Sequence, residues 1–340
     1  MQNLYPQIYD YENLYQAYIL ARKQKRYRGQ VLSFGYNLEE NLIQLQNELV
    51  WKTYKVGPYR QFKVWEPKER LISALPFRDR VVQHAVSRVI EPIFERRMFP
   101  DSFACRKRKG SLAAANRLAY FIGKPSATLY LKCDIAKYFH SINIDILKQI
   151  IQKSILDLDA RWIVDLILDS SANSGVPIGN LLSQLFANVY LHELDFHIKT
   201  RLGIRFYLRY MDDFIVLGSS RPALQSALVE IERFLEADLH LCLNAKTKIG
   251  RVSDGIDFVG YRIFPQNRLI KKASLCRMRK KYRAWKKGKM KDQAYLASIG
   301  SWAGHAKGTA SHGFVERMLR DSLKEALNRS SQQQEAAHAR

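Results

Sequence analysis

The sequence has few cysteines, no long apolar run and a shortage of acidic residues. Cys105, Cys133, Cys242 and Cys276 stand far apart, with no Cys-x-x-Cys pair among them. That spacing excludes a disulfide framework and a cysteine zinc site, and reduced, mostly buried thiols are expected. No stretch approaches the roughly 18 apolar residues that span a bilayer. The N-terminus, Met1-Gln-Asn-Leu-Tyr-Pro, lacks the basic and apolar regions of a signal peptide, so a cytoplasmic location is expected. Internal repeats are absent. Acids number 32 against 55 lysines and arginines, a formal net charge of +23. Such a chain repels itself, and a polyanion would relieve the repulsion. Nucleic acid is the first candidate and an anionic membrane surface the second.

What is present is the composition of a folded protein. Hydrophobic residues make up 47% of the 340 positions, enough for a sizeable core divided into two or three lobes. Leu42, Leu45 and Leu49 recur at helical intervals. Phe62 to Ile72 alternates around Pro67 and Lys68, the pattern of a hairpin. A helix is expected from about Asp79, with Val82, Ala85, Val86 and Val89 on one face, bending or stopping near Pro92. Thr128 to Asp134 reads as a strand that ends in an acid. A helix with Leu185, Val189 and Leu194 follows the Gly179-Asn180 turn and ends near Gly203. Pro222 opens another, with Leu224, Leu228, Ile231 and Leu235 at three- and four-residue spacing. Short strands cover about 248–264. This alternation predicts an α+β protein with a split βαβ sheet. From Lys271 to Lys291 there are 11 lysines or arginines and no acids. Such a stripe suits a phosphate backbone, and its Tyr282 and Trp285 are expected to pack on sugar or base. Ser330 to Arg340 is polar and expected to fray.

The chemistry is concentrated in Tyr210-Met211-Asp212-Asp213, set between apolar runs at 206–208 and 214–217. This reads as a hairpin with two adjacent carboxylates at its tip. Neighbouring carboxylates repel unless a cation lies between them, which points to a hard divalent metal and phosphoryl transfer. Asp134, at the end of its apolar strand, is the candidate for a third carboxylate arriving from elsewhere in the chain.

These segments resemble the reverse transcriptases over about residues 60–305. Asp134, with an aromatic five residues on, looks like the first palm motif, and Tyr210–Asp213 looks like the Tyr-x-Asp-Asp motif. The resemblance implies a right-hand polymerase: N-terminal extension and fingers over 1–125, palm over 126–263, basic helical thumb over 264–340. It implies two Mg²⁺ ions, with Mn²⁺ as a substitute, held by Asp134, Ile135, Asp212 and Asp213. Phe139 fits the steric gate beneath the sugar. Arg70 and Arg106 match positions in the fingers that face the incoming triphosphate, where arginine's fork of donors is suited. Leu243-Asn244-Ala245-Lys246-Thr247 looks like the motif whose lysine protonates the pyrophosphate; Lys246 is the choice, with Lys248 close by. Phe258-Val259-Gly260-Tyr261 resembles the primer grip. His305 lies in a thumb-like segment and reads as a packed residue. Template RNA, the primer or cDNA strand and dNTPs are the implied partners.

Val176-Pro177-Ile178-Gly179-Asn180-Leu181-Leu182-Ser183-Gln184 departs from the common Pro-Gln-Gly form. Ile178 replaces the glutamine and Gln184 a proline. That form looks like the reverse transcriptases of diversity-generating retroelements, which copy a template-repeat RNA with errors at adenines. The group implies a basic accessory protein as a further partner. Ile178 cannot make the hydrogen bonds a glutamine would offer the nascent pair, a loss of about 0.5–1.5 kcal/mol. Retron or defence enzymes, and a catalytically silent RNA-binding scaffold, are the alternatives. The intact aspartates speak against the scaffold.

Overall fold

The computed structural model describes residues 3–65, 69–170 and 175–338. In chain order the elements are α1 (Tyr5–Tyr9), α2 (Tyr11–Ala21), α3 (Gly29–Tyr36), α4 (Leu38–Val50), β1 (Arg60–Trp65), β2 (Glu69–Ala74), α5 (Phe77–Glu95), α6 (Ser111–Ile122), β3 (Leu129–Asp134), α7 (Tyr138–Ser141), α8 (Ile144–Gln152), α9 (Leu158–Asp169), α10 (Leu181–Phe196), β4 (Tyr207–Tyr210), β5 (Asp213–Gly218), α11 (Arg221–Leu239), β6 (Lys248–Arg251), β7 (Ile256–Phe258), β8 (Tyr261–Ile263), β9 (Arg268–Ile270), α12 (Lys272–Lys286), α13 (Asp292–Ala306) and α14 (His312–His338). No helix among the described residues is long and apolar enough to cross a membrane.

The chain divides into two compact units. The first takes Met1–Gly110, Leu131–Val216 and Arg221–Lys248. Its spine is α5, whose Val81, Val82, Ala85, Val86 and Ile90 are fully buried beneath α2 and α10. The helix begins at Phe77 and passes through Pro92 to Glu95, a turn beyond the expected stop. The proline forfeits one backbone bond, but burial of Ile90 and Phe94 on the same side keeps the last turn wound. β1 and β2 pair antiparallel as expected, Phe62 opposite Ile72. The expected turn at Pro67 and Lys68 lies outside the described residues. β4 and β5 form the second expected hairpin, with Tyr207 opposite Val216 and Tyr210 opposite Asp213. β3 lies beside β5 in a sheet of order β4-β5-β3-β6. α10 continues into a π-helical turn, His197–Arg201, and Gly203 adopts a left-handed φ of 64°.

The second unit takes Ser111–Tyr130, Leu217–Ser220 and Ile249–Arg340. It contains the antiparallel β7-β8-β9 sheet and the basic helices. Trp285 is fully buried and stacks on Tyr295 at 4.4 Å, with Tyr282 packed against the same cluster of Met278, Ile299 and Trp302. The aromatics of the basic stripe therefore build this core, and the expectation that they pack on sugar or base is overturned. Ser330 to His338 is helical where fraying was expected, because the stretch is rich in glutamine, glutamate and alanine, with no breaker. The cysteines also differ from expectation. All four are free thiols, but only Cys133 is buried, because Cys105, Cys242 and Cys276 fall in a turn, a strap and an exposed helix face.

Candidate active site

β3 alternates its side chains, so Leu131 and Cys133 enter the core while Lys132 and Asp134 share the other face. Past Asp134 the strand is held on both sides. The Ile135 N–H donates to the Asp212 carbonyl at 3.3 Å, which brings the β4–β5 turn alongside. The Asn244 N–H donates to the Asp134 carbonyl at 2.7 Å, and the Ala136 N–H to the Cys242 carbonyl at 2.9 Å. A strap from the 242–244 segment thus fixes the strand end.

Met211 and Asp212 form the turn itself, Met211 at a φ of 56° that few side chains adopt. Burial pushes the Asp212 carboxyl up to about 6. A backbone N–H opposes this, Asp134 and Asp213 add to it, and Arg70 draws it back down. Asp134, Asp212 and Arg70 thus share one electrostatic environment. Asp213 faces Lys132 instead: its two oxygens both accept from Lys132 Nζ at 2.6 Å. Among the described residues no three His, Cys, Asp or Glu side chains are gathered as a ready metal cage. The donors still suit a hard cation, since Asp134 and Asp212 both offer carboxylate oxygen. Ile135 has a buried, apolar side chain and only its main-chain carbonyl to contribute.

Lys137, at a φ of 46°, turns the chain into α7. Tyr138 is buried there and donates to the Ala187 carbonyl, while Phe139 stays half-buried beside it. The Val176–Gln184 segment is bound at two points. Val176 N–H donates to the Phe139 carbonyl at 2.8 Å, and Gly175 approaches so closely that a Cβ there would lie 2.2 Å from that oxygen. Ser73 N–H on β2 donates to the Ile178 carbonyl at 2.9 Å. Gly179, at a φ of 118°, has room for no side chain against Ile72 and Ser73. Ile178 is half-buried and lines a cavity of 410 Å³ with Tyr59, Leu71, Ser73, His140 and Pro177. Asn180 is buried and donates to the Tyr59 hydroxyl at 3.1 Å. Gln184 lies exposed on the first turn of α10.

Arg106 corrects the sequence reading. Its guanidinium is forked onto Glu95 at 2.8–2.9 Å and donates to the Phe99 and Ser102 carbonyls, leaving 6% of the side chain exposed. It is committed to tying its own loop and has little left for a triphosphate. Arg70 is exposed on β2 and free of that commitment. Lys246 and Lys248 are both exposed, the first in a turn where its N–H donates to Asn244 Oδ1, the second at the start of β6. In the second unit, Val259 and Gly260 form the β7–β8 turn, and Tyr261 stacks on His305 at 4.2 Å and bonds its carbonyl. His305 is a packed residue, as its segment suggested.

The sequence reading missed Lys132, and it missed Arg209 and Asp195. Lys132 was open to detection, two residues before Asp134 and therefore on its face of the strand.

Comparison with known proteins bears on the family and the fold. Residues 63–263 match the model of the family described as reverse transcriptase (RNA-dependent DNA polymerase). Protein YkfC of Escherichia coli K12 is 27% identical over 270 residues, covering 64% of this chain and 70% of its own. The group II intron-encoded protein LtrA of Lactococcus lactis is 27% identical over 169 residues, 46% of this chain and 28% of its own length. Among solved structures, apo telomerase from Candida tropicalis superposes with a TM-score of 0.51 at 13% identity, over 65% of this chain and 49% of that one. The same telomerase with a fragment of telomeric RNA gives 0.50 at 13%, over 85% and 58%. These likenesses speak to the fold, a right-hand polymerase of mixed α and β structure. Because the family match spans well over half of its length, this chain belongs to the reverse transcriptases and is an RNA-directed DNA polymerase.

Proposed function

We propose that the chain is the reverse transcriptase of a diversity-generating retroelement, copying a template-repeat RNA into cDNA with errors at adenines. The observation that carries this reading is Ile178 in Ile178-Gly179-Asn180-Leu181-Leu182-Ser183-Gln184. Its carbonyl is pinned to β2 and its side chain lines a cavity, so an apolar group stands where an amide would offer hydrogen bonds.

The roles within the site follow from the residues. Asp134, Asp212 and the Ile135 carbonyl would hold divalent cations, Mg²⁺ or Mn²⁺, and Asp213 would join them once Lys132 lets go. Ions bound there supply charge neutralisation for the triphosphate and a more acidic primer hydroxyl. Arg70 orients the triphosphate through its fork of donors. Phe139 sits under the sugar and excludes a 2′ hydroxyl, and Lys246 gives a proton to the leaving pyrophosphate, with Lys248 its neighbour in that role. Fingers, palm and thumb are assigned to 1–125, 126–263 and 264–340. Template RNA, primer or cDNA strand and dNTPs are the substrates, a basic accessory protein the partner, and the cytoplasm the location.

Deep sequencing of cDNA made on one adenine-containing RNA tests this. The wild type is expected to misincorporate mainly opposite adenine. Ile178→Gln is expected to lower that error by less than about tenfold, the worth of one hydrogen bond. Equal error spectra at similar extension would reduce Ile178 to a lineage mark. A wild type that copies adenine as accurately as the other bases would favour the second reading, an intron-type enzyme, suggested by the intron-encoded relative.

A further inference from the structure

A buried ion pair stands directly behind the aspartate turn. The side chains of Arg209, on β4, and Asp195, on α10, both have 0% exposure. Arg209 Nε donates to Asp195 Oδ1 at 2.7 Å and Nη2 to Oδ2 at 2.6 Å. The Tyr207 hydroxyl donates to the same carboxylate at 2.6 Å. The remaining arm, Nη1, donates at 3.1 Å to Asn188 Oδ1 and at 3.1 Å to the Met211 carbonyl. Asn188 is fixed in turn by donating to the Ala104 carbonyl at 2.8 Å. The Arg209 main chain is clamped too, its N–H to the Asp101 carbonyl at 2.9 Å and its carbonyl from Phe103 N–H at 3.0 Å.

Burying two charges is costly, and a well-packed apolar pair commonly stabilises a core as well or better. Core stability is therefore a poor explanation for this pair. Its outer arm ends on the peptide that joins Met211 to Asp212, and Met211 holds a left-handed backbone that a loose turn would relax. A planar guanidinium can grip a carboxylate with two arms and a carbonyl with the third. A lysine, with one nitrogen, cannot do both.

We infer that Arg209, oriented by Asp195, is a positioning residue that aims the Asp212 carboxylate by holding the Met211 carbonyl. The inference rests on the reading of Asp212 as a metal-holding carboxylate.

The test uses the full chain with three changes: Arg209→Lys, the apolar pair Asp195→Leu with Arg209→Met, and Asp212→Asn. Each is examined for melting temperature, for Mn²⁺ binding by titration calorimetry without nucleic acid, and for single-nucleotide extension. Both Arg209 changes are expected to leave a cooperative melt. They should weaken Mn²⁺ binding and lower kcat by roughly tenfold or more, the usual effect of removing a residue that orients a ligand. KM for the dNTP should stay near the wild-type value. Folded Arg209 variants with wild-type Mn²⁺ binding and kcat would overturn the inference. So would loss of folding in both, which would make the pair part of the core alone. If Asp212→Asn extends primers at the wild-type rate, the site reading itself fails. If Asp212→Asn is dead while Arg209→Lys is normal, only the positioning role fails.

Discussion

At the residue scale the aspartates are unequal. Asp134 and Asp212 face one another electrostatically, whereas Asp213 accepts both of its bonds from Lys132. Lys132 supplies the counter-charge to Asp213. Lys132→Met should therefore leave Asp213 without its counter-charge, beside Asp134 and Asp212. The metal-free variant is expected to lose about 1–2 kcal/mol, the cost of breaking a half-exposed pair and leaving one charge behind. Divalent ions should restore much of that loss and bind the variant more tightly than the wild type. Calorimetry with and without Mg²⁺ checks this. An identical loss in both conditions would mean that Lys132 stabilises the fold without standing in for the ion.

At the element scale α12 separates its two tasks by face. Met278, Tyr282 and Trp285, spaced by four and three, turn inward, while Arg279, Lys280, Arg283 and Lys287 remain exposed. Other cations of the helix are engaged: Lys281 donates to Ser298 and Lys286 pairs with Glu325. RNA binding should fall with salt at a log–log slope of roughly −4 if about six cations meet phosphates of a single strand. Changing the four exposed residues to alanine should flatten the slope by up to about 3. A filter-binding salt series checks it, and an unaltered slope would move the RNA surface to another element. The inward face of α12 was misread as a nucleic-acid contact: its three–four spacing marks a buried stripe, but the density of charge obscured it. The two hairpins, β3 and α4 were also legible, because period 2 and period 3.6 are local signals. Arg106 and Arg209 were not. Whether an arginine reaches a substrate, its own loop or a carboxylate on a distant helix is decided by tertiary neighbours that spacing does not reveal.

At the scale of the whole molecule a net charge of +23 makes acid a stress, since each added proton adds to the self-repulsion. Four of the eight histidines resist that proton when folded: burial lowers His84 to about 4 and depresses His192, His197 and His305. Lys25 and Arg80 add to the effect at His84. The unfolded chain takes up protons at these positions near the ordinary value of 6.5, so it binds more protons than the folded chain below that pH. Stability is therefore present above 6.5 and lost as the pH falls from there toward 4. Asp79, Asp165 and Asp212 are raised by burial and work the other way, and Asp212, raised to about 6, takes up its proton over the same range and offsets part of the histidine effect. His84 alone should account for about 1 kcal/mol between roughly pH 7 and pH 5.5, somewhat less after screening by solvent. A melting temperature followed by scanning calorimetry over that range is expected to fall by a few degrees. His84→Gln should fall less, because the variant has no proton to gain on unfolding at that position. A flat wild-type profile, or an equal slope in His84→Gln, would show that acid sensitivity arises from the general charge and not from these buried rings.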